Sequence, residues 1–378
     1  MHELALSPVV LCSTLIDALV AVGLLVPREA KGEIGWRRMA RGILGTVLAF
    51  IVKLPFLVVG GLNPFGLIRL VYVDLVMLVP ALGLLLLAGE WFRRWRLTIF
   101  TRCLAGTSLS LAGIGVYATY IELFDLRLET ARLLLPEQRQ GSQPVRLAVL
   151  SDLQTDGVTG YEREAVARLM AARPDVILIP GDMFQGTERA FEAQLPELQA
   201  LLSRLDAPGG VFLVPGNIDV PASRVGRFIG GTRIRALLND VESVFIGDRR
   251  LTIGGVEIDY TSPRARAIIA RLEGGEDTGD IRLLLSHRPD VVLELSWNSR
   301  IDLVVAGHTH GGQGVIPFFG PPMTGTRVPR AVAAGGLHNP DGRAVYVSRG
   351  VGHKRGQAAR LRFLCPPEIS LITLESTR

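Results

Sequence analysis

The sequence predicts an α/β domain that follows four membrane-spanning helices. Two observations lead to this prediction. Apolar residues are concentrated in the first third of the 378-residue chain, in segments long enough to cross a bilayer. Beyond residue 145, apolar runs typical of buried strands alternate with helical patterns, and several of these runs end at polar side chains of the kind that bind metal ions.

Four apolar segments each approach the roughly 20 residues that a helix needs to cross a bilayer. They are residues 9–26, 43–62, 67–87 and 97–120. A cleaved signal peptide is the alternative for the first segment, but the chain begins without the basic residues that such a peptide carries. We therefore expect a transmembrane anchor at 1–124, a linker that lies along the membrane surface at 125–144, and the main domain at 145–378.

Basic residues are distributed unevenly between the connecting loops. By the positive-inside rule the basic loops are cytoplasmic, so the domain after the fourth span is expected outside the cytoplasm. The same loops account for much of the net charge of +5, and we therefore exclude a nucleic-acid partner. The loop after the first span carries Arg28, Lys31, Arg37, Arg38 and Arg41, and the loop after the third carries Arg93, Arg94 and Arg96.

Three ionisable residues lie deep inside the apolar segments: Asp17, Lys53 and Asp74. A charge in the bilayer interior is costly unless it is paired. Counting along alternating helices places Asp17 and Lys53 at similar depth, so we expect a buried Asp–Lys–Asp cluster that assembles the helices. A proton or ion path is the alternative, although transport usually needs more spans and a broken helix.

The main domain is expected to contain an α/β sheet. Strands are predicted at 145–150, 176–179, 211–214, 281–285 and 301–306, with helices near 161–172 and 188–205. Shorter β-rich pieces near 243–260, 344–348 and 369–374 indicate additional strands in a second sheet. Because the strand ends of such a sheet gather along one edge, residues that are distant in the sequence meet there.

Polar side chains that suit a metal site follow these strands: Asp152, Asp182, Asn217, His287, His308 and His310. The last two belong to the run Gly-His-Thr-His-Gly-Gly-Gln at 307–313, where glycine permits a tight turn and the close approach of a ligand. Oxygen and imidazole donors without thiolates suit Mn, Fe, Zn or Mg. One carboxylate among them can bridge two divalent ions, which would polarise a phosphoryl group and lower the pKa of water.

At these residues the sequence resembles the calcineurin-like metallophosphoesterase superfamily, whose blocks run Asp-x-His, Gly-Asp, Gly-Asn-His-Asp/Glu, His and Gly-His-x-His. The resemblance covers roughly residues 145–374, and the form of the 307–313 run looks like the bacterial membrane-associated branch. That branch includes phosphodiesterases and enzymes that cleave the pyrophosphate of a nucleotide-linked acylated glucosamine. The resemblance implies a four-layer α/β/β/α sandwich and a two-metal phosphoester hydrolase.

The resemblance also implies a role for each matching residue. Asp182 would bridge the two ions. Asp152 and His310 would bind the first ion, and Asn217, His287 and His308 the second.

Two positions depart from the family pattern. Gln154 stands where the family has a histidine ligand of the first metal, and Ile218 stands where it has a histidine that contacts the phosphate. A glutamine carbonyl can coordinate a hard cation, so we keep Gln154 among the expected metal ligands. Isoleucine cannot transfer a proton, which would slow the loss of a poor leaving group by about 10²–10⁴-fold.

His353 is the candidate for the missing acid or phosphate contact, because the family places the loop around Arg349 near the active site. The alternative is a solvated loop histidine next to Lys354 and Arg355. Those two cations and Arg349 could instead hold a phosphate by charge.

The sequence therefore favours a membrane-anchored, metal-dependent hydrolase acting on a phosphoester, either lipid-linked or a nucleotide diphosphate. The first alternative is a degenerate domain of the same fold that binds metal or phosphate with little turnover, because of Gln154 and Ile218. A transporter or scaffold regulated by the domain is the second alternative. The apolar segment 316–322 is expected to pack as an ordinary loop, with contact to an acyl chain as the other interpretation.

Overall fold

The computed structural model describes residues 8–27, 32–92, 95–274 and 279–376. Four of the loop cations used for the orientation, Arg28, Lys31, Arg93 and Arg94, lie outside these residues. The chain divides into two compact units, one formed by Met1–Ile121 with Arg355–Arg360 and the other by Glu122–Lys354 with Leu361–Arg378.

Within the described residues, four helices are long and apolar enough to cross a membrane, which confirms the four predicted spans. They are Pro8–Leu25, Trp36–Val59, Pro64–Trp91 and Ile99–Phe124. A π-helical turn at Asp74–Leu78 interrupts the third. The elements of the first unit are α1 (Pro8–Leu25), β1 (Glu33–Ile34), α2 (Trp36–Val59), α3 (Pro64–Val73), α4 (Val79–Trp91), β2 (Arg96–Leu97) and α5 (Ile99–Val116).

The predicted polar cluster in the spans is present. The Lys53 ammonium on α2 forms an ion pair with the Asp17 carboxylate on α1, and it donates to the Ser13 hydroxyl at 2.9 Å. The Thr14 hydroxyl donates to Asp74 Oδ1 at 2.7 Å. These bonds join α1 to α2 and to the π-helical turn, so the charged groups are paired inside the bundle as the cost of isolated charge requires.

The second unit contains two six-stranded sheets, and helices connect some of the successive strands. The strand order is β3-β14-β4-β5-β6-β7 in the first sheet and β12-β13-β11-β10-β9-β8 in the second. The elements are β3 (Arg127–Leu135), β4 (Val145–Val149), α6 (Gly160–Ala171), β5 (Val176–Ile179), α7 (Glu188–Leu202), β6 (Val211–Leu213), α8 (Ala222–Ile229), β7 (Ile234–Ala236), β8 (Asp240–Ile246), β9 (Arg249–Gly255), α9 (Pro263–Glu273), β10 (Ile281–Leu285), β11 (Leu303–Ala306), α10 (Arg330–Ala333), β12 (Gly336–His338), β13 (Val345–Val347) and β14 (Glu368–Ser376).

Three apolar clusters show that these elements form four layers, α/β/β/α, as the family resemblance implied. One cluster joins α6 and α7 to the outer face of the first sheet. A second fills the space between the sheets, where Leu147 and Phe212 meet Ile253 and Leu283. The third packs α9 on the outer face of the second sheet. Parallel strands covered on both faces need continuous apolar runs, which is why β5 reads Val-Ile-Leu-Ile and is fully buried.

The structure corrects the expected distribution of strands. β10 and β11 belong to the second sheet, so the strand ends that carry polar residues come from two stacked sheets rather than from one edge. The β-rich piece at 369–374 lies in β14, which is in the first sheet and not the second.

The segment 125–144, expected to be a linker, contains the nine-residue strand β3, which pairs in parallel with β14 along its whole length. Its exposed and half-buried residues alternate, as in a strand at the edge of a sheet. The predicted domain boundaries remain a proposal.

Candidate metal centre

The candidate ligands lie where the carboxyl ends of the two sheets face each other. From the first sheet, Asp152 follows β4, Asp182 follows β5 and Asn217 follows β6. From the second, His287 follows β10, and the two histidines of the 307–313 run follow β11. Asp152, Asp182 and His287 are buried, and each offers a ligand atom within 4.8 Å of the other two.

Left-handed backbone conformations are concentrated in these loops. The φ angles are 48° at Asp152, 40° at Gln154, 57° at Asp182, 72° at His308 and 50° at His310. Such angles are uncommon for residues other than glycine, and they persist only where the surrounding structure enforces them. We read this strain as the consequence of turning five side chains toward one point.

Close packing of the loops explains two of the motif glycines. A Cβ atom on Gly216 would lie 2.0 Å from Asp182 Oδ1, and one on Gly307 would lie 2.3 Å from Asp152 Oδ2. Any side chain at either position would displace a candidate ligand.

One backbone contact fixes the tautomer of His287. Its Nδ1 lies 2.7 Å from the carbonyl oxygen of Pro180, which can only accept, so Nδ1 carries the proton. Nε2 of the neutral ring is therefore a bare acceptor. It faces Asn217 Oδ1 at 3.1 Å and Asp182 Oδ2 at 3.5 Å, both of which are also acceptors.

His308 completes this half of the site. Its Nδ1 lies 3.0 Å from both Asn217 Oδ1 and His287 Nε2. The N–H that His308 Nδ1 could provide cannot satisfy Asn217 Oδ1, Asp182 Oδ2 and His287 Nε2 at once. A cation between these atoms would bind all of them. The donor set therefore fits a divalent metal ion.

The other half of the site surrounds Asp152. His310 Nε2 lies 3.5 Å from Asp152 Oδ1, and the buried Nδ1 of the same ring has no hydrogen-bond partner within the described part of the chain. Gln154 Nε2 donates to Asp182 Oδ2 at 3.1 Å. Asp182 thus contacts residues of both halves, the position that a bridging carboxylate would occupy.

Burial shifts the protonation of the histidines toward the neutral form. Loss of solvation lowers the pKa of His287 to about 4 and that of His308 to about 3, and it lowers the pKa of His310 well below its usual value. All three rings are neutral near pH 7, so their lone pairs are available to a metal ion.

The buried carboxylates shift in the opposite direction. Burial raises the pKa of Asp182 to about 6, although the backbone N–H of Ile218 and the charge of Lys354 partly oppose the shift. Burial, followed by the charge of Asp182, raises the pKa of Asp152 well above its usual range. Two neighbouring carboxylates that resist ionisation are stabilised when a cation is bound between them.

Asp219 holds the two loops of the first sheet together. Its carboxylate accepts from the backbone N–H groups of Asp182 at 2.6 Å, Met183 at 2.9 Å and Gly216 at 2.9 Å. In the family pattern a histidine precedes this acidic residue, but here Ile218 does. The backbone N–H of Ile218 donates to Asp182 Oδ1 at 3.0 Å. Asp219 therefore positions the Asp182 loop, and the residue before it, Ile218, cannot transfer a proton.

Arg362 is a structural residue of the site that the sequence did not reveal. Its fully buried guanidinium donates to the carbonyl oxygens of His310 at 2.9 Å and Arg349 at 2.8 Å, and also to those of Gly350 and Gly352. It thereby ties the 307–313 run to the 349–353 loop. An isolated arginine near the C-terminus has no sequence signal for this role, because its partners are backbone atoms.

The structure also limits the expected phosphate contacts. Arg349 pairs with Glu368 and with Glu129, the latter at 2.5 Å, so its charge is already neutralised within the fold and the expectation that it holds a phosphate is not supported. Lys354 lies close enough to lower the pKa values of His308 and His310 by its charge. His353 is buried beside it, after Gly352, whose N–H donates to the Asp152 carbonyl at 2.8 Å.

Comparison with known proteins agrees with this geometry. Residues 145–312 match the model of the calcineurin-like phosphoesterase family. Members of the family use divalent metals, and the buried Asp152, Asp182 and His287 are placed to bind one.

Two bacterial relatives align with most of the chain. An uncharacterized metallophosphoesterase of Bacillus subtilis, YkuE, is 27% identical over 285 residues, which cover 72% of this chain and 94% of the relative. The phosphodiesterase YaeI of Escherichia coli is 28% identical over 287 residues, covering 73% and 97%. Among solved structures, the calcineurin-like phosphoesterase YfkN from Bacillus subtilis covers 58% of this chain and 88% of its own, with 11% identity and a TM-score of 0.39.

Proposed function

We propose that this protein is a membrane-anchored, metal-dependent phosphoester hydrolase of the phosphodiesterase or pyrophosphatase type. The observation that carries the proposal is the convergence of carboxylate, amide and imidazole groups, delivered by strands of two different sheets, on one buried point. Lone pairs that face one another in this way repel unless a proton or a cation lies between them.

Two ions fit the arrangement better than one. We assign Asp152, Gln154 and His310 to the first ion, Asn217, His287 and His308 to the second, and Asp182 to both. Asp182 supports this assignment because its Oδ2 lies 3.1 Å from Gln154 Nε2 and 3.5 Å from His287 Nε2. Mn, Fe, Zn and Mg all accept such donors, so the donor set does not select among them.

Divalent ions held there would supply Lewis acidity to the phosphoryl group and lower the pKa of water enough to provide hydroxide near neutral pH. The chain orients this chemistry. Asp182 and Asn217 fix the positions of the ions relative to each other, and Lys354 adds positive charge where a phosphate would bind. His353 is the proposed proton donor to the leaving group, since Ile218 cannot act as one.

The substrate and the compartment are further parts of the proposal. Four spans with this loop charge distribution favour an extracytoplasmic catalytic domain. A membrane anchor favours a substrate that resides in or near the bilayer, such as a lipid-linked phosphoester, with a nucleotide diphosphate as the second choice.

The alternative, a metal-binding domain with little turnover, is motivated by Gln154 and Ile218. The test is hydrolysis of bis-p-nitrophenyl phosphate by the full chain in detergent with Mn²⁺, Mg²⁺ or Zn²⁺. The full chain is used because a fragment that begins at residue 145 lacks β3.

Asp182→Ala is expected to lower the rate at least about 100-fold, as removal of metal-site support does. The matched control is Asp206→Ala, which removes an exposed carboxylate paired with Arg233 and should leave the rate unchanged. Calorimetric metal binding without hydrolysis above the Asp182→Ala level would establish the alternative.

A further inference from the structure

The loop that follows the metal-binding run ends in an exposed apolar tip. We call residues 316–319, Ile-Pro-Phe-Phe, the apolar finger. Phe318 is fully exposed, with a relative accessibility of 110%, and Ile316 and Phe319 are 50% and 52% exposed. The segment 316–322 was expected to pack as an ordinary loop; Pro321 is buried as expected, whereas the side chains of the apolar finger are exposed.

The backbone holds the finger in this exposed form. Ile316 and Gly320 exchange two backbone hydrogen bonds of 3.1 Å and 2.9 Å across the tip, and Val315 N donates to the Phe363 carbonyl at its base at 2.8 Å. Phe318 itself has φ 66°, a strained value for a bulky residue. A loop that buried its rings would relieve both the strain and the contact with water, so the structure enforces presentation of the ring.

The finger is continuous with the metal centre. The residues that follow the finger pack on the 307–313 run, because a Cβ atom on Gly312 would lie 2.4 Å from the Pro321 side chain. Further along, a Cβ atom on Gly325 would lie 3.8 Å from His308 Nε2. The chain on both sides of the finger therefore contacts the 307–313 run that carries His308.

Two features favour a lipid bilayer as the partner. Only residues 125 and 126 separate Phe124, the end of the fourth candidate span, from Arg127, the start of β3. A connection this short spans about 11 Å at most, so β3 begins close to the end of the fourth candidate span. The Arg330 guanidinium lies 4.2 Å from the centre of the Phe319 ring, and an aromatic ring with a cation above it suits the boundary between acyl chains and anionic head groups.

We propose that the apolar finger inserts into the lipid bilayer and holds the mouth of the metal centre at the membrane surface. The side chain of Phe318 lies in the acyl region, and Arg330 remains at the level of the head groups. This inference concerns binding to lipid and stands independently of hydrolysis.

The test measures the depth of a nitroxide label in the full chain reconstituted in nanodiscs of phosphatidylcholine and phosphatidylglycerol. Phe318→Cys is labelled in a background with Cys12→Ser and Cys103→Ser, and the buried Cys365 is retained. Phe245→Cys is the matched control, since Phe245 is 72% exposed on the edge strand β8 of the same domain. Collision rates with oxygen and with nickel ethylenediaminediacetate are compared.

The ratio of oxygen to nickel collisions is expected to be about tenfold higher at 318 than at 245, because the bilayer interior excludes the polar reagent. Phe319→Cys provides a second label should the first variant fold poorly, and it is expected to report a shallower position. Equal ratios at 318, 319 and 245 would overturn the proposal. Spin–spin broadening at 318 that depends on two copies per nanodisc would overturn it in favour of a contact between chains.

Discussion

Residue 154 is expected to influence how firmly the first of the two proposed ions is bound. The amide nitrogen of Gln154 donates to Asp182 Oδ2 at 3.1 Å, so this side chain reaches the carboxylate that contacts both halves of the site. An imidazole at this position would be a stronger ligand for transition metals than a neutral amide. The departure from the family pattern at Gln154 thus bears on metal affinity.

Gln154→His is expected to increase the affinity for Zn²⁺ about tenfold, and Gln154→Ala to decrease it by a similar factor. Titration calorimetry on the metal-free chain measures both. If His, Gln and Ala at position 154 gave the same affinity, Gln154 would not be a ligand.

Proton competition at Asp182 sets the pH dependence of metal binding. The pKa of this buried carboxyl is raised to about 6, so the metal-free site carries a proton there below pH 6, and binding must expel it. The affinity should fall by about tenfold for each pH unit below 6, and more steeply where Asp152, whose pKa is also raised by burial, takes up a proton. His287 adds no competition in this range because its pKa is lowered to about 4.

The measurement is the dissociation constant for Mn²⁺ between pH 5 and 8, together with proton release in buffers of different ionisation enthalpy. An affinity that is flat down to pH 5 would contradict the role of Asp182 as a ligand.

His353 is proposed to protonate the leaving group, and this role has a specific signature. His353→Gln should lower the rate for a poor leaving group about 100-fold while the rate for p-nitrophenolate changes little, because an activated leaving group needs no acid. The control is His338→Gln, whose ring only contacts the Gly335 carbonyl at 3.0 Å. An equal loss for both substrates would assign His353 a structural role instead.

Among the elements, the 307–313 run and the 349–353 loop are held together by the guanidinium of Arg362. Replacing Arg362 by Met would remove the donor to the carbonyl oxygens of Arg349 and Gly352, whereas that of His310 keeps the backbone N–H of Gln313. We expect a loss of about 3 kcal/mol in the free energy of unfolding, as for other buried polar groups deprived of partners. The denaturant midpoint of the full chain in detergent measures this loss.

Arg362→Lys is the matched control for charge. A lysine keeps the positive charge but cannot reach several carbonyl oxygens at once, so an intermediate stability is expected. An unchanged midpoint for Arg362→Met would show that the two loops hold together without this residue.

The elements also show what the sequence could and could not predict. The apolar runs before Asp152, Asp182, Asn217 and His287 were recognisable as strands because buried parallel strands need such runs. The partition of these strands between two sheets was not recognisable, since periodicity does not encode which strands pair.

The strand β3 escaped notice for a related reason. Its consecutive leucines at 133–135 obscure the alternation, and its partner β14 lies more than 200 residues away in the chain. At the site, the convergence of Asp152, Asp182 and His287 was predictable from motif spacing. The stabilising roles of Asp219 and Arg362 were not, because both act on backbone atoms.

For the whole molecule, the orientation in the membrane remains a prediction from the loop charges. With the N-terminus outside the cytoplasm, four spans would place Arg378 outside as well. Alkaline phosphatase fused after Arg378 should therefore be active, and green fluorescent protein at the same position should be dark. The same two reporters fused after Trp95 should give the opposite pattern. A fluorescent fusion at Arg378 would place the catalytic domain in the cytoplasm.

The last strand of the chain, β14, lies inside the first sheet, between β3 and β4. Until the ribosome has finished residues 368–376, both neighbouring strands lack this partner, and the core beneath them stays open. The first sheet therefore cannot close before residues 368–376 are available. A stop codon before residue 368 would leave β3 and β4 without the strand that joins them, so we expect such a chain to be degraded rather than to fold with reduced stability.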